Sequence, residues 1–427
     1  MPHPLETELR RRIGEDRYST AYPWRPEDWA QYRQHGRLKF RKNGRVSFYI
    51  HIPFCRHLCK FCEYTRCLVP HEEAQRRYLQ TVHSDIRRFM AEYPGVTLEG
   101  LDIGGGTPTA LSPDNFAYLM RIYREVVNGV KVSADFEPSI ETSFKTITPE
   151  KIGMIRDAGI RRISTGIQSL YFNRRQNDIG WRYPEADEII GRIGEIRKAG
   201  EFKINLDFMY GFGFQNAGDT ESLDRTAVEQ LVPEQVTLYE LRTNQLSNYK
   251  SCTPESRQSQ YDRWYDMLNG LGYIGRYGQN TFSTDPRDFG VSSYIRHRML
   301  DGGDYKGFGI SAQSMSGGNV EYNVGKNAAD ILSLIPTDNG HGTFDAAEHY
   351  ELPVREKFAK FVCISAYSGG FSLRIARERF YPDFTERFGD IIDYLSGIGA
   401  IEIAADRINL TKRGFGHYGP VLSLFYK

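Results

Sequence analysis

Between Val46 and Leu241 the chain alternates short β-branched runs with longer amphipathic ones, and this alternation restricts the fold more than any other feature of the sequence. It is the pattern of parallel strands joined by crossover helices. The predicted strands are VSFYIHI (46–52), LEGLDIG (98–104), VKVSADF (130–136), IRRISTGI (160–167), FKINLDFMYG (202–211) and QVTLYEL (235–241). After the first, Tyr78, Val82, Ile86 and Phe89 recur at intervals of four, four and three, so they share one helical face that packs on the sheet. Pro149 and Pro184 stand where helices are expected to begin. The expected class is α/β, a partial (β/α)6 TIM-type barrel, in which chemistry collects at the carboxyl ends of the strands.

At 427 residues the chain exceeds what one core usually serves. Four segments are expected: an extension over the active site (1–45), the barrel (46–245), a capping region for substrate or cofactor (246–345) and a small module (346–427). Past Pro254, a helix (ESRQSQYDRWYDMLNGLG) and a short aromatic strand (YIGRYGQNTFS) lead into a Gly-rich loop, DGGDYKGFGISAQSMSGGN. From about Glu348 the order of three helices, a strand pair and a closing helix reads as a winged-helix-like α+β module. It carries no concentrated basic face, so it is expected to serve packing.

The 55 basic and 54 acidic residues leave a formal charge of +1, which advertises neither nucleic acid nor an anionic membrane as partner. No run of about 18 apolar residues exists to span a bilayer, and the opening MPHPLETELRRR lacks a signal peptide's apolar stretch. A cytoplasmic protein with a small-molecule substrate is expected. Four of the six cysteines fall within FYIHIPFCRHLCKFCEYTRC (48–67), a clustering that points to metal and away from a disulfide framework. Cys55, Cys59 and Cys62 follow a C-x3-C-x2-C spacing just after the first strand. Three such thiolates can ligate three irons of a 4Fe-4S cube and leave the fourth open to a small molecule. A tetrahedral zinc site completed by Cys67 or His57 is the alternative.

With Phe61 just before its last cysteine, this stretch resembles the radical S-adenosylmethionine (SAM) superfamily. The resemblance implies a barrel of that type, a [4Fe-4S] cluster whose open iron chelates SAM, and a one-electron donor such as flavodoxin or ferredoxin. One electron then breaks the sulfur–carbon bond to give a 5′-deoxyadenosyl radical. YIHIPFC (49–55), GGGTPT (104–109), GIQS (166–169), NLDFMYG (205–211) and RYSTAYP (17–23) are similar to the signatures of the oxygen-independent coproporphyrinogen III oxidase branch. That branch also holds class C methyltransferases and a haem chaperone.

Carried over by motif, the implied SAM contacts are Tyr49, Phe61, Gly105, Gly106, Thr107, Asp135 with Glu137 as its rival, Gln168, Arg182 and Asp207. Phe282, Gly309 and Ser311 fall in the part that holds a second SAM or the substrate, and Tyr49, His51 and Cys67 are the catalytic candidates. Where the oxidase has a fourth cysteine, this chain has Tyr64. Three activities stay open: hydrogen removal from propionate side chains with decarboxylation, C-methylation or related carbon transfer from a second SAM, and haem carriage. The sequence reading leans toward carbon transfer with two SAM molecules.

Overall fold

In the computed structural model, which describes residues 4–14, 22–23, 26–170, 186–212, 217–241, 252–326, 328, 330–337, 342–344 and 346–426, six strands lie side by side in chain order. They are β1 (Arg45–Ile52), β2 (Thr97–Gly105), β3 (Ser139–Thr142), β4 (Arg162–Gln168), β5 (Lys203–Tyr210) and β6 (Gln235–Glu240), all parallel. Helix α1 (Pro4–Gly14) precedes them; α2 (Glu72–Glu92), α3 (Pro113–Gly129), α4 (Pro149–Ala158), α5 (Ala186–Ala199) and α6 (Ala217–Leu231) lie in the crossovers. Tyr78, Val82, Ile86 and Phe89 of α2 are all buried, as their spacing requires. Helix α4 starts at Pro149 behind Thr148, whose hydroxyl accepts the Lys151 amide, and stops at Gly159 in the left-handed conformation.

The barrel is partial. Among the described residues its edge strands do not meet: β7 (Thr281–Ser283) runs antiparallel along β6, and β8 (Asp304–Phe308) runs parallel along β1.

Side chains alternate across each strand. Val46, Phe48, Ile50 and Ile52 of β1, and Ile204, Leu206 and Phe208 of β5, are buried in the main apolar core. The residues between them are polar and face the lumen, where they bond to one another. Arg162 donates to the Gln235 side-chain oxygen at 2.7 Å and to Ser139 Oγ at 2.9 Å. Asn205 donates to Ser164 Oγ at 2.9 Å and accepts from Thr237 Oγ1 at 2.9 Å. These bonds offset the cost of a polar interior.

Two expectations need correction. The third strand is Ser139–Thr142, not 130–136; of the earlier run only Lys131–Val132 pairs with β2, and both residues are exposed. The Gly-rich stretch is not a loop but a meander of β8, β9 (Gln313–Ser316) and β10 (Asn319–Asn323), which with β11 (Ala346–Tyr350) extends the sheet beyond β1. Its glycines permit close approach: a Cβ at Gly307 would lie 2.4 Å from the Gln313 carbonyl oxygen.

Helix α7 (Pro254–Gly270) follows the barrel. The last unit consists of α8 (Val354–Ser365), β12 (Gly370–Ser372), α9 (Leu373–Arg379), α10 (Phe384–Gly397), β13 (Ile401–Ala404) and β14 (Arg407–Leu410), closed by short helices at Lys412–Phe415 and Tyr418–Ser423. Its sheet has three strands, β12 joining the expected pair. Phe358 lies at its centre, 5.4 Å from the Phe388 ring and 5.7 Å from that of Phe384. Among the described residues no helix is long and apolar enough to cross a membrane.

A short helix, Ser293–Ile295, and the π-helical turn Arg296–Leu300 rest against the inner face of β2 at Gly100. A Cβ there would lie 2.2 Å from the Tyr294 backbone nitrogen, and neither strand nor helix backbone can give way cheaply. Gly100→Ala is expected to destabilise the protein by about 1–3 kcal/mol, read as a lowered melting temperature beside an unchanged far-ultraviolet spectrum.

Candidate functional site

Beyond β1 the chain forms a closed loop. Phe54–Cys55 pairs with Cys67–Leu68; the Cys67 amide donates to the Pro53 carbonyl at 2.8 Å and that of Val69 to the Cys55 carbonyl at 2.9 Å. Within the loop, Arg66 donates to the carbonyls of Cys59 and Tyr64. Burial pushes the Cys55 thiol up to about 11 and that of Cys59 up to about 12, each raised further by its cysteine neighbours, while the Arg66 charge acts in the opposite sense. Thiols held this way stay protonated until a cation displaces the proton.

Among the described residues no three His, Cys, Asp or Glu side chains converge tightly enough to hold a single metal ion. Thiolates on one zinc, with bonds of about 2.3 Å, would have to do so. Three thiols on one short loop are the donor set that an iron–sulfur cube takes. Cys67, the candidate fourth zinc ligand, packs against the apolar core.

The turn after β2 closes over the loop. The amides of Gly106 and Thr107 donate to the carbonyls of Ile52 and Phe54, both at 2.8 Å. A Cβ on Gly106 would lie 2.9 Å from Cys55 Sγ, and Thr107 Oγ1 donates to that sulfur at 3.7 Å. Gly105, at φ +110°, packs on the His51 ring, where a Cβ would come 2.3 Å from Nδ1. Nε2 of His51 lies 2.9 Å from the Thr65 carbonyl, which can only accept, so Nε2 carries the proton. Burial lowers His51 to about 4, and the ring is neutral at pH 7. It acts as a brace between turn and loop.

Three carboxyl groups line the lumen below. Glu141, at the end of β3, accepts from the Gly105 amide at 3.0 Å, and a Cβ on Gly104 would strike its carboxyl at 2.4 Å. Its side chain reaches water yet is hemmed in by protein, as a group on the wall of a deep lumen must be. This enclosure pushes it up to about 7. Asp207 is pushed up to about 6 by burial and accepts from Ser164 at 3.2 Å and Asn205 at 2.7 Å. Asp102, raised to about 7 by burial, accepts from Ser292 at 2.6 Å, and its other oxygen has no partner among the described residues. Tyr49 lies beneath His51, ring centroids 6.1 Å apart, and stacks on Tyr294 at 5.4 Å.

Of the residues singled out from the sequence, Cys55, Cys59, Cys62, Gly105, Gly106, Thr107, Tyr49, His51 and Asp207 thus meet at one end of the barrel. Gln168 joins them at the end of β4 with φ +63°, a strained value of the kind found at functional positions. Phe61 is half-buried in the cysteine loop. Gly309 and Ser311 fall in the β8–β9 turn, which clasps that loop: Thr65 Oγ1 donates to Ser311 Oγ at 2.7 Å, and Tyr78 bridges the His51 carbonyl and the Ile310 amide.

Others lie elsewhere. Asp135 is exposed on a turn, 3.9 Å from Arg296, and Glu137 pairs with Lys203 at 2.7 Å at the opposite end of the barrel. Because β3 begins at Ser139, DFEP precedes the strand, and Glu141 takes the lumen position assigned to them. The alternation S-I-E-T is the signal that was available for it. Phe282 has no accessible surface; it packs against Gly275 and Tyr265, so a ligand cannot touch it as it stands. Arg182 lies outside the described residues. Arg66, which no motif marks, was missed as well.

The Radical SAM superfamily model matches residues 49–227. The heme chaperone HemW of Bacillus subtilis is 24% identical over 86% of this chain and 96% of its own length. The oxygen-independent coproporphyrinogen III oxidase of Escherichia coli is 24% identical over 74% of this chain and 67% of its own. The solved structure of coproporphyrinogen III oxidase (HemN) from Escherichia coli superposes with a TM-score of 0.72 at 19% identity, covering 97% of this chain and 98% of that one, a likeness of fold.

Arg66→Met removes the donor that holds the Cys59 and Tyr64 carbonyls and a cation whose charge acts on all three thiols. After anaerobic reconstitution it is expected to retain less than about half of the wild-type iron and sulfide per chain, measured colorimetrically, because loosened ligands bind more weakly.

Proposed function

Since residues 49–227 match the Radical SAM superfamily model, we propose that the chain abstracts a hydrogen atom from a small organic substrate in the barrel lumen, using one SAM molecule. The observation that supports this reading is the meeting of three loop cysteines, a side-chain-free glycine turn and the Glu141 carboxyl at one end of the barrel. Cys55, Cys59 and Cys62 would hold a 4Fe-4S cluster, which would supply the electron for reductive cleavage of SAM. The protein's own residues do the rest. The turn Gly105–Thr107 offers backbone groups at close range. Glu141 and Asp207 present acceptors for an ammonium group or ribose hydroxyls. Tyr49 and Tyr294 close the floor against water. A one-electron donor such as flavodoxin or ferredoxin reduces the cluster in this reading.

The second SAM loses support here. Of the side chains assigned to it, Phe282 is enclosed in the core and Ser311 is engaged by Thr65. Oxidative hydrogen abstraction, the chemistry of the oxidase branch, is therefore favoured over carbon transfer. With dithionite and SAM under anaerobic conditions, the reconstituted protein is expected to form 5′-deoxyadenosine and methionine without S-adenosylhomocysteine, and Cys59→Ala to lose both the iron–sulfur absorbance and the products. Equal amounts of S-adenosylhomocysteine and 5′-deoxyadenosine would restore the two-SAM reading. Stoichiometric haem uptake with neither nucleoside would make the protein a carrier.

A pH dependence follows from Glu141. Its raised value, about 7, means the free protein holds this proton almost to neutrality. A cationic ligand prefers the carboxylate, so SAM affinity is expected to rise with pH up to about 7 and level off above it. Titration calorimetry should show proton release below that point. Glu141→Gln should bind about tenfold more weakly at pH 8, with a flat profile.

A further inference from the structure

The cysteine loop carries a cation that no carboxylate pairs with among the described residues. Arg66 is half-buried and spans the loop by donating to the carbonyls of Cys59 and Tyr64. Its Nε is buried and has no partner among those residues. A guanidinium so placed costs stability until negative charge comes close to it. Two further donors reach the sulfurs. Thr107, in the turn after β2, donates its hydroxyl to Cys55 Sγ at 3.7 Å, and the Tyr64 amide donates to the Cys62 sulfur. The turn is held close to the loop: the Thr107 amide donates to the Phe54 carbonyl at 2.8 Å, and a Cβ on Gly106 would lie 2.9 Å from Cys55 Sγ.

Burial raises all three thiols, and these groups act against it: Thr107 at Cys55, the Tyr64 amide at Cys62 and the Arg66 charge at every one. Glu141 opposes them at Cys55 and Cys62, and Glu63 at Cys62. Donors and cations of this kind favour the more negative state of whatever the sulfurs hold. One electron added to an iron–sulfur cube on these thiolates adds one negative charge. Net charge, hydrogen bonds to sulfur and exposure set the potential at which that electron enters. A charge fixed in a half-buried loop is screened less by solvent than one on the surface, so Arg66 outweighs the exposed Glu63.

We propose that Arg66, with Thr107 as its lesser partner, sets the reduction potential of the cluster on Cys55, Cys59 and Cys62 by stabilising the reduced state. This rests on the reading of those cysteines as cluster ligands. A one-electron donor then loses one electron, the cluster gains it, and a weaker donor suffices than the bare loop would require. The test is a potentiometric titration of the reconstituted full-length protein without SAM, with dithionite as reductant, followed by electron paramagnetic resonance of the reduced cluster. Midpoints belong to loaded protein only, so the lower iron content expected of Arg66→Met does not enter. Arg66→Met should make reduction at least about tenfold less favourable, a fall of about 59 mV in midpoint for one electron. Arg66→Lys, which keeps the charge, should stay near wild type, and Thr107→Val should show a smaller fall in the same direction. Should Arg66→Met hold no cluster, Arg66→Gln, which loses the charge and keeps a donor for the two carbonyls, takes its place. A wild-type midpoint in the charge-free variant would make Arg66 a mere clip for the loop and overturn the proposal. So would a lysine variant that falls as far as the methionine one, or a shift that appears only once SAM is added; an unmoved Thr107→Val removes that residue's share. These results leave the ligand reading intact, whereas wild type without any iron–sulfur signal overturns both.

Discussion

The outward faces of the barrel strands are held to the crossover helices by apolar contact, and this division of faces carries the rest of the structure. Burying a side chain such as Phe48, Ile50, Leu206 or Phe208 contributes about 1.5–3 kcal/mol, and those residues are fully enclosed. The inner faces are thereby released from holding the sheet together. A closed parallel barrel normally packs its interior with bulky branched side chains. Here the inner positions are serine, asparagine, aspartate, glycine and a few aromatics, bonded to one another where they touch. Such a lumen holds water or a polar ligand, and its carboxyl groups keep their protons unusually well because protein surrounds them.

The cysteine loop depends on contacts from distant parts of the chain. The β2 turn bonds its base, His51 braces Thr65 against Gly105, and the β8–β9 turn grips Thr65 from the other side. Tyr78, from the core face of α2, ties the end of β1 to that same turn. Three thiols raised by burial would otherwise gain little from clustering; fixed in this frame, they stand ready for a charge that the protein itself does not provide.

Much of this was legible in the sequence, and the reasons differ by element. The α2 face could be read because four large apolar residues at helical spacing have one geometric solution. The cysteines and the GGGTPT turn could be read because their order after successive strands is itself the constraint. VKVSADF misled because β-branched content scores a strand whether or not a neighbour accepts it, whereas S-I-E-T is short and polar enough to resemble a loop. The stretch from Asp301 to Asn319 misled in the same way: its glycines suggested flexibility, but they stand where backbones and side chains press together.

By itself the sequence determined the parallel α/β class and the position of the cysteine loop after the first strand, since each follows from periodicity or from spacing along the chain. Only the tertiary structure decided that Glu141 faces the Gly105 amide while Asp135 faces water, that Phe282 belongs to the core and that Arg298 lies over the Tyr305 ring. Those facts depend on strand register and on which segments fold back onto which face, and register is set by the summed packing of the whole sheet, which no local run of residues contains.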